Sequence, residues 1–346
     1  MLCLYQKNKK SLDNYSMELI SNFDKVVVFG SSGLAGSAIC RSLIKSGYKK
    51  ILKPKRKELN LLNFDEVKKW FHFKRPDVVI IAAAKVGGIH ANDIYSADFI
   101  LENLKIQNNI IENAWRHDVK KLLFLGSSCI YPKFAKQPIS EEELLTSSLE
   151  TSNQWYAIAK ISGIKLCEAL KKQYNFNAIS LMPTNLYGPG DNYHPENSHV
   201  LASLIRRFCE AKFRNQKEVI CWGTGSPLRE FLHVDDLASA CIFAIEKWDQ
   251  DSSDAPKDIN NKPLRFLNVG TGLDISIKEL ANLVAKYVRY DGEIDWDTSK
   301  PDGTLKKQLD IKRLRTLGWK PQISLEEGLK KTINLYQKEY LERIDI

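Results

Sequence analysis

The chain has 346 residues, of which 43% are hydrophobic and 27% charged, and its 51 basic and 42 acidic side chains leave a formal charge of +9. That length suits one large α/β unit or a nucleotide-binding domain with a smaller partner, and the basic balance favours an anionic partner, phosphorylated metabolite or nucleic acid. No run approaches the roughly 18 apolar residues of a membrane span, residues 1–20 lack a secretory core and cleavage site, and the seven scattered cysteines and six histidines show no disulfide or metal spacing, so the expectation is a cytoplasmic protein with reduced thiols and no metal.

Residues 1–24 precede the first strong strand and read as an N-terminal extension without chemistry. Lys25 to Phe29 is β-rich and ends in Gly30-Ser31-Ser32-Gly33-Leu34-Ala35-Gly36, after which Ala38, Ile39, Leu43 and Ile44 fall at helical spacing. A second βα unit follows over 51–73, then an apolar strand over 77–84, a helix over 95–116, a strand over 121–125, a helix over 155–173, and a strand over 178–182 closed by Pro183. Strands continuous in apolar residues and alternating with helices predict an α/β fold, a Rossmann-type parallel sheet with helices on both faces. Beyond Tyr187 the pattern loosens into a helix over 199–213, a strand over 219–222 and mixed pieces, with a polar surface loop over 250–263. The expected division is 25–187 as mainly the dinucleotide-binding domain and 188–346 as mainly a smaller mixed substrate-binding lobe, interleaved with the last strands of the sheet.

A G-x-x-G-x-x-G turn between strand and helix lets backbone approach a pyrophosphate that meets the helix N-terminal amides. Gly30, Gly33 and Gly36 are the candidates. After the second strand, where a carboxylate would select NAD, the chain places Lys53, Lys55, Arg56 and Lys57, a basic cluster suited to the 2′-phosphate of NADP.

Gly126-Ser127-Ser128-Cys129 leaves the carboxyl end of a parallel strand, where open α/β sheets bind ligands. Tyr156 and Lys160 lie four apart on one helix face. An ammonium beside a phenol brings it closer to proton transfer at neutral pH, Lys160 also holding the nicotinamide ribose, and Ser127 can donate to a carbonyl oxygen as hydride arrives. Ser127, Tyr156 and Lys160 therefore form a candidate reductase site.

At these residues the chain resembles the extended short-chain dehydrogenase/reductase family and, within it, the GDP-L-fucose synthases, the GDP-4-keto-6-deoxy-D-mannose epimerase-reductases. The resemblance spans roughly residues 25–330. It rests on Glu58-Leu59-Asn60-Leu61, the run from Ala82 to Ile89, the run from Leu125 to Pro132, Tyr156-Ala157-Ile158-Ala159-Lys160, the run from Pro183 to Pro189, the run from Asn192 to Val200 and the run from Arg229 to Asp236. It implies a homodimer, NADPH as cofactor, and a GDP-linked 4-keto-6-deoxy sugar epimerised at C3 and C5 and then reduced at C4. Cys129 and His199 then become the base and acid of epimerisation. The chemistry is self-consistent, since hydrogens at C3 and C5 are α to the ketone, and a thiol and an imidazole both exchange protons near neutrality.

The implied cofactor set is Gly30, Ser32, Gly33, Leu34, Ala35, Gly36, Arg56, Ala83, Ala84, Tyr156, Lys160, Pro183, Asn185, Leu186 and His199. The implied substrate set is Ser128, Asn185, Val200, Arg207, Trp222, Arg229 and Lys306, with Lys307 as the alternative to Lys306. Guanidinium groups suit a diphosphate because they offer planar, paired donors. One departure stands out: Ser31-Ser32 replaces the family's His-Arg inside the glycine turn, which shifts the NADP preference onto Arg56 and its lysine neighbours. Two alternatives stay open at this level, a C4 reductase acting without epimerisation on a related GDP-linked heptose, and a non-catalytic nucleotide-binding protein. The dimer is expected to form through the helices over 95–116 and 155–173, with Ile158, Ile161, Ile164 and Leu166 as surplus apolar area.

Overall fold

A computed structural model describes residues 20–300 and 302–344, so most of the N-terminal extension lies outside the described residues. Strand β1, Lys25–Phe29, leads through the glycine turn into α1, Leu34–Lys45. β2 is only Lys50–Leu52, and α2, Phe64–Lys74, begins where the Asn63 side chain accepts from the Asp65 and Glu66 amides. β3, Val78–Ile81, is shorter than its apolar run, because Ala82 donates its last ladder-like bond to the Phe29 carbonyl and the chain then turns out of the sheet. A short helix not expected from the sequence, α3, Ile89–Ile94, precedes the expected helix over 95–116, which is α4, Ser96–Arg116.

β4, Lys121–Leu125, and β5, Ala178–Pro183, are wholly buried, with α5, Gln154–Tyr174, between them. Then come β6, Asn185–Tyr187, α6, Val200–Phe213, β7, Glu218–Trp222, β8, Leu228–His233, and α7, Val234–Lys247. The remainder is β9, Phe266–Val269, β10, Asp274–Ser276, α8, Ile277–Val288, β11, Glu293–Asp297, β12, Lys306–Lys307, α9, Lys312–Thr316, and α10, Leu325–Ile344. A reciprocal Ser276–Glu279 capping box starts α8.

Six parallel strands in the order β2-β1-β3-β4-β5-β9 form the main sheet, which is the Rossmann-type layer expected. Its order reverses between β1 and β3, so a crevice opens outside their carboxyl ends. One core, built on α1 and α7, covers one face, and a second, built on α2, α4 and α5, covers the other. The sixth strand comes from the second half of the chain, which otherwise makes a four-stranded assembly of β10-β8-β12 with β6 on β8, and a β11-β7 pair. A third core under α6, α8 and α10 holds that lobe.

The helix face expected to be apolar surplus is mostly spent. Ile161 and Ile164 are buried in the sheet-facing core and Leu166 packs against it, whereas Ile158 is exposed. Among the described residues no helix is long and apolar enough to cross a membrane.

Candidate active site

The glycine turn shows three different uses of a missing side chain. Gly30 has φ +84°, and a Cβ there would sit 2.6 Å from the Ala83 nitrogen; at Gly36 a Cβ would lie 2.0 Å from the Gly30 carbonyl oxygen. Those two glycines fold the turn onto β3 and α1. At Gly33 a Cβ would meet its nearest protein atom only at 3.6 Å, so the constraint there is approach from outside. Gly33 is also the N-cap of α1 and offers no side-chain bond, leaving the first-turn amides of Leu34, Ala35 and Gly36 turned toward that approach. These features fit a dinucleotide pyrophosphate. Ala83 and Ala84 line the opposite side, in a segment held by a pair of hydrogen bonds between Asn103 and the Lys85 backbone: Asn103 Oδ1 accepts from the Lys85 amide at 2.9 Å and its Nδ2 donates to the Lys85 carbonyl at 3.0 Å. Arg56 and Ser32 are both exposed, Arg56 just past the end of β2.

β4 delivers Ser127, whose hydroxyl accepts from the Cys129 amide at 3.2 Å and so caps the single 3-10 turn Ser128–Ile130. One short turn thus fixes a hydroxyl and a thiol two residues apart, while Ser128 is buried beneath it. Tyr156 hydrogen-bonds Ser127 from the first turn of α5. Burial, and then the nearby Cys129, push the Tyr156 phenol up, which the Ser127 bond only partly offsets, so it stands protonated as a donor. Lys160, one turn on, is 3% exposed. Its Nζ donates to the Leu125 carbonyl at 2.8 Å and lies 5.7 Å from the Tyr156 ring centre, and burial brings its pKa down to about 7. The expected pairing of ammonium and phenol is therefore looser than helix spacing alone suggests.

The second half of the chain closes this crevice from above. Asn185 Nδ2 donates to the Glu230 carbonyl at 2.8 Å, tying β6 to β8, with Pro183 buried before it and Leu186 packed toward the sheet core. His199 is the N-cap of α6 and makes no side-chain cap bond; its ring reaches solvent, yet the surrounding protein disfavours its charge and holds its pKa below the usual imidazole range. Val200 beside it is 39% exposed. Arg207 is anchored on the Ile220 carbonyl, and burial lowers its pKa. Alternation along β7 turns Trp222 outward, 71% exposed, with Lys300 Nζ 5.7 Å from its ring centre. Arg229 Nη1 donates to the Leu228 carbonyl at 2.8 Å and to the Thr304 carbonyl at 2.5 Å.

Lys306 pairs with Asp274 at 3.0 Å, whereas Lys307 Nζ donates to Cys129 Sγ at 3.6 Å. Both line a cleft with Cys129, Lys133, Glu150 and Thr304. Ser127, Cys129 and Tyr156 are thus gathered at one end of the main sheet; Arg56 lies past its edge strand β2, and Trp222 ends β7 in the separate β11-β7 pair.

Sequence reasoning passed over Glu230. It is fully buried, and its carboxylate accepts from the Thr271 amide at 2.6 Å, the Gly272 amide at 2.7 Å and the Leu309 amide at 2.8 Å. A signal existed, because period-two alternation puts Glu230 opposite Arg229 and so away from any anion that Arg229 meets.

The family model described as NAD dependent epimerase/dehydratase family matches residues 26–260. The chain is 53% identical to GDP-L-fucose synthase 1 of Arabidopsis thaliana over 319 residues, 92% of this chain and 95% of that protein. Among solved structures, a GDP-6-OMe-4-keto-L-xylo-heptose reductase from C. jejuni is 36% identical, with a TM-score of 0.86, over 93% of this chain and 99% of that one. A GDP-mannoheptose C4 reductase from Campylobacter jejuni with NADP bound is 37% identical, with a TM-score of 0.83, over 92% and 99%.

Proposed function

The chain belongs to the NAD dependent epimerase/dehydratase family and, within it, to the GDP-L-fucose synthase group of extended short-chain dehydrogenases/reductases, and from that premise we propose how its residues divide the reaction. It is an NADP-dependent enzyme that reduces a GDP-4-keto-6-deoxy sugar. The observation that carries the reading of the site is the turn from Ser127 to Ile130, which sets the Ser127 hydroxyl and the Cys129 thiol beside the Tyr156 phenol.

Gly33 and the amides of Leu34, Ala35 and Gly36 would hold the NADPH pyrophosphate, with Arg56 at the 2′-phosphate. NADPH supplies hydride to C4. Tyr156 donates the proton that the C4 oxygen then needs, and its raised pKa keeps that proton in place until the oxygen turns basic. Ser127 donates to the same oxygen as charge develops. Lys160 holds the ribose.

Epimerisation precedes this. Cys129 removes a proton at C3 or C5, the electron pair enters the ketone as an enolate, and His199 returns a proton from the opposite face. Arg207 and Arg229 bind the diphosphate, and the outward Trp222 and Val200 offer apolar faces to the nucleoside. The hexose form of the substrate is proposed on the 53% identity to a GDP-L-fucose synthase over 92% of this chain. A homodimer through α4 and α5 and a cytoplasmic setting, where the thiol stays reduced, complete the proposal.

The test separates two chemistries in one cleft. Tyr156→Phe is expected to cut NADPH-dependent reduction by about 10²- to 10⁴-fold while deuterium from solvent still enters C3 and C5. Cys129→Ser is expected to abolish that exchange far more than it slows reduction of a ketone already in the product configuration. Exchange at the parental rate in Cys129→Ser would reduce Cys129 to a packed pocket residue.

A further inference from the structure

Lys307 stands on β12, and the backbone on either side of it is clamped by one side chain. Gln137 Nε2 donates to the Lys306 carbonyl at 3.1 Å, and Gln137 Oε1 accepts from the Gln308 amide at 3.0 Å. Glu230 takes the next amide, that of Leu309. Pairing of β12 with β8 sets Lys307 opposite Arg229 and Lys306 opposite Leu228. Because successive strand residues face opposite sides, the two lysines part, Lys306 to Asp274 and Lys307 to the sulfur of Cys129.

We propose that Lys307 is a further catalytic residue, the cation against which the Cys129 thiolate forms when it acts as base. The proposal rests on the epimerase reading of Cys129 given above. A thiolate, not a thiol, accepts the proton, and an adjacent ammonium favours it. In the step, the carbon–hydrogen bond α to the ketone breaks, the sulfur–hydrogen bond forms, and the electron pair moves into the enolate. Lys307 keeps its three protons throughout and offsets the charge that the sulfur carries beforehand.

The other charges around the sulfur do not serve it in the same way. Lys133 pairs with Glu150 at 3.2 Å, and Lys306 with Asp274. The Tyr156 phenol is kept protonated partly by Cys129 itself, so its contribution is a dipole through Ser127 and not a cation.

The experiment compares Lys307→Met and Lys307→Arg with the parent in two readouts. One is the rate at which iodoacetamide alkylates Cys129 near pH 7 without substrate, followed by mass spectrometry of the Cys129 peptide. The other is deuterium entry at C3 and C5 of the GDP-4-keto sugar. Lys307→Met is expected to slow both by about tenfold or more, the size of effect usual for an opposite charge at this range, and Lys307→Arg to restore most of each. Parental rates in Lys307→Met overturn the proposal. So does a pure rise in KM with alkylation unchanged, which assigns Lys307 to the diphosphate. If the parent itself exchanges no label, the epimerase reading fails, and alkylation still decides whether Lys307 activates the thiol.

Discussion

Lys160→Met should stabilise the free protein while removing reductase activity, and the gain should depend on pH in a way that few other substitutions can imitate. The ammonium is buried against the Phe124 ring, 4.7 Å from its centre, and has one neutral partner, the Leu125 carbonyl at 2.8 Å. Burial takes its pKa from 10.5 to about 7. That gap corresponds to about 5 kcal/mol against the charged form. For a base whose folded pKa lies below its unfolded one, the unfolded chain binds more protons between the two values, so stability is lost as pH falls from 10.5 through about 7 and stays lost below. Methionine keeps the chain's length and its contact with Phe124 and escapes this penalty. It also leaves the Leu125 carbonyl without its donor, which costs about 1–3 kcal/mol at every pH. The constant cost cancels in a slope. Denaturant unfolding of both proteins without cofactor should therefore show the advantage of Lys160→Met growing by about 1.4 kcal/mol per pH unit as pH is lowered from about 9.5 to about 7.5. Parallel stability curves would mean that Lys160 carries no burial penalty.

Arg56→Gln should weaken NADPH by about ten- to a hundredfold, the worth of a charged hydrogen bond to phosphate, and leave NADH nearly unchanged; equal losses in titrations with both cofactors place Arg56 elsewhere. Trp155 and Ile158 are 39% and 36% exposed on α5, and Tyr95 and Leu101, just before and within α4, are 55% and 52% exposed. Sedimentation is expected to find a dimer at micromolar concentration that Ile158→Glu shifts toward monomer, and a monomeric parent would refute the interface.

Much of the main sheet was legible because its strands are mostly apolar and its helices are not. β4 and β5 are buried at every residue, and a stretch such as that around Lys121–Leu125 has little other way to be satisfied. The glycine turn was legible for a similar reason: Gly30 and Gly36 are required by atoms of the chain itself, and Gly33 by what must come near it. Less could be read where a residue's direction depends on its neighbours. Ile161 and Ile164 look like surplus on a helical wheel and are core because α5 lies on the sheet with that face inward. Lys160 shares a face with Tyr156, yet the nearest acceptor for its ammonium is the Leu125 carbonyl, contributed by a strand 35 residues earlier. Glu230 was hidden inside a run whose resemblance drew attention to its ends, and its three amide partners come from loops that only the folded chain brings together.

The ladder of β10, β8 and β12 explains why charged residues are adjacent in sequence on both strands that matter. Register places Lys307 opposite Arg229, and Lys306 opposite Leu228, while Asp274 on β10 stands opposite Glu230. One face of the ladder therefore carries Arg229 and Lys307 side by side, and the other carries the acidic groups and Lys306, which finds Asp274. Two cations on one rung repel each other unless an anion comes between or beside them. In the proposal above Arg229 faces the diphosphate and Lys307 the sulfur, while in the free protein the charge beside Arg229 is the Asp302 carboxylate. Glu230, on the reverse face, holds the loops that keep this rung in register, which makes the buried carboxylate a scaffold for the cationic side and not a member of it.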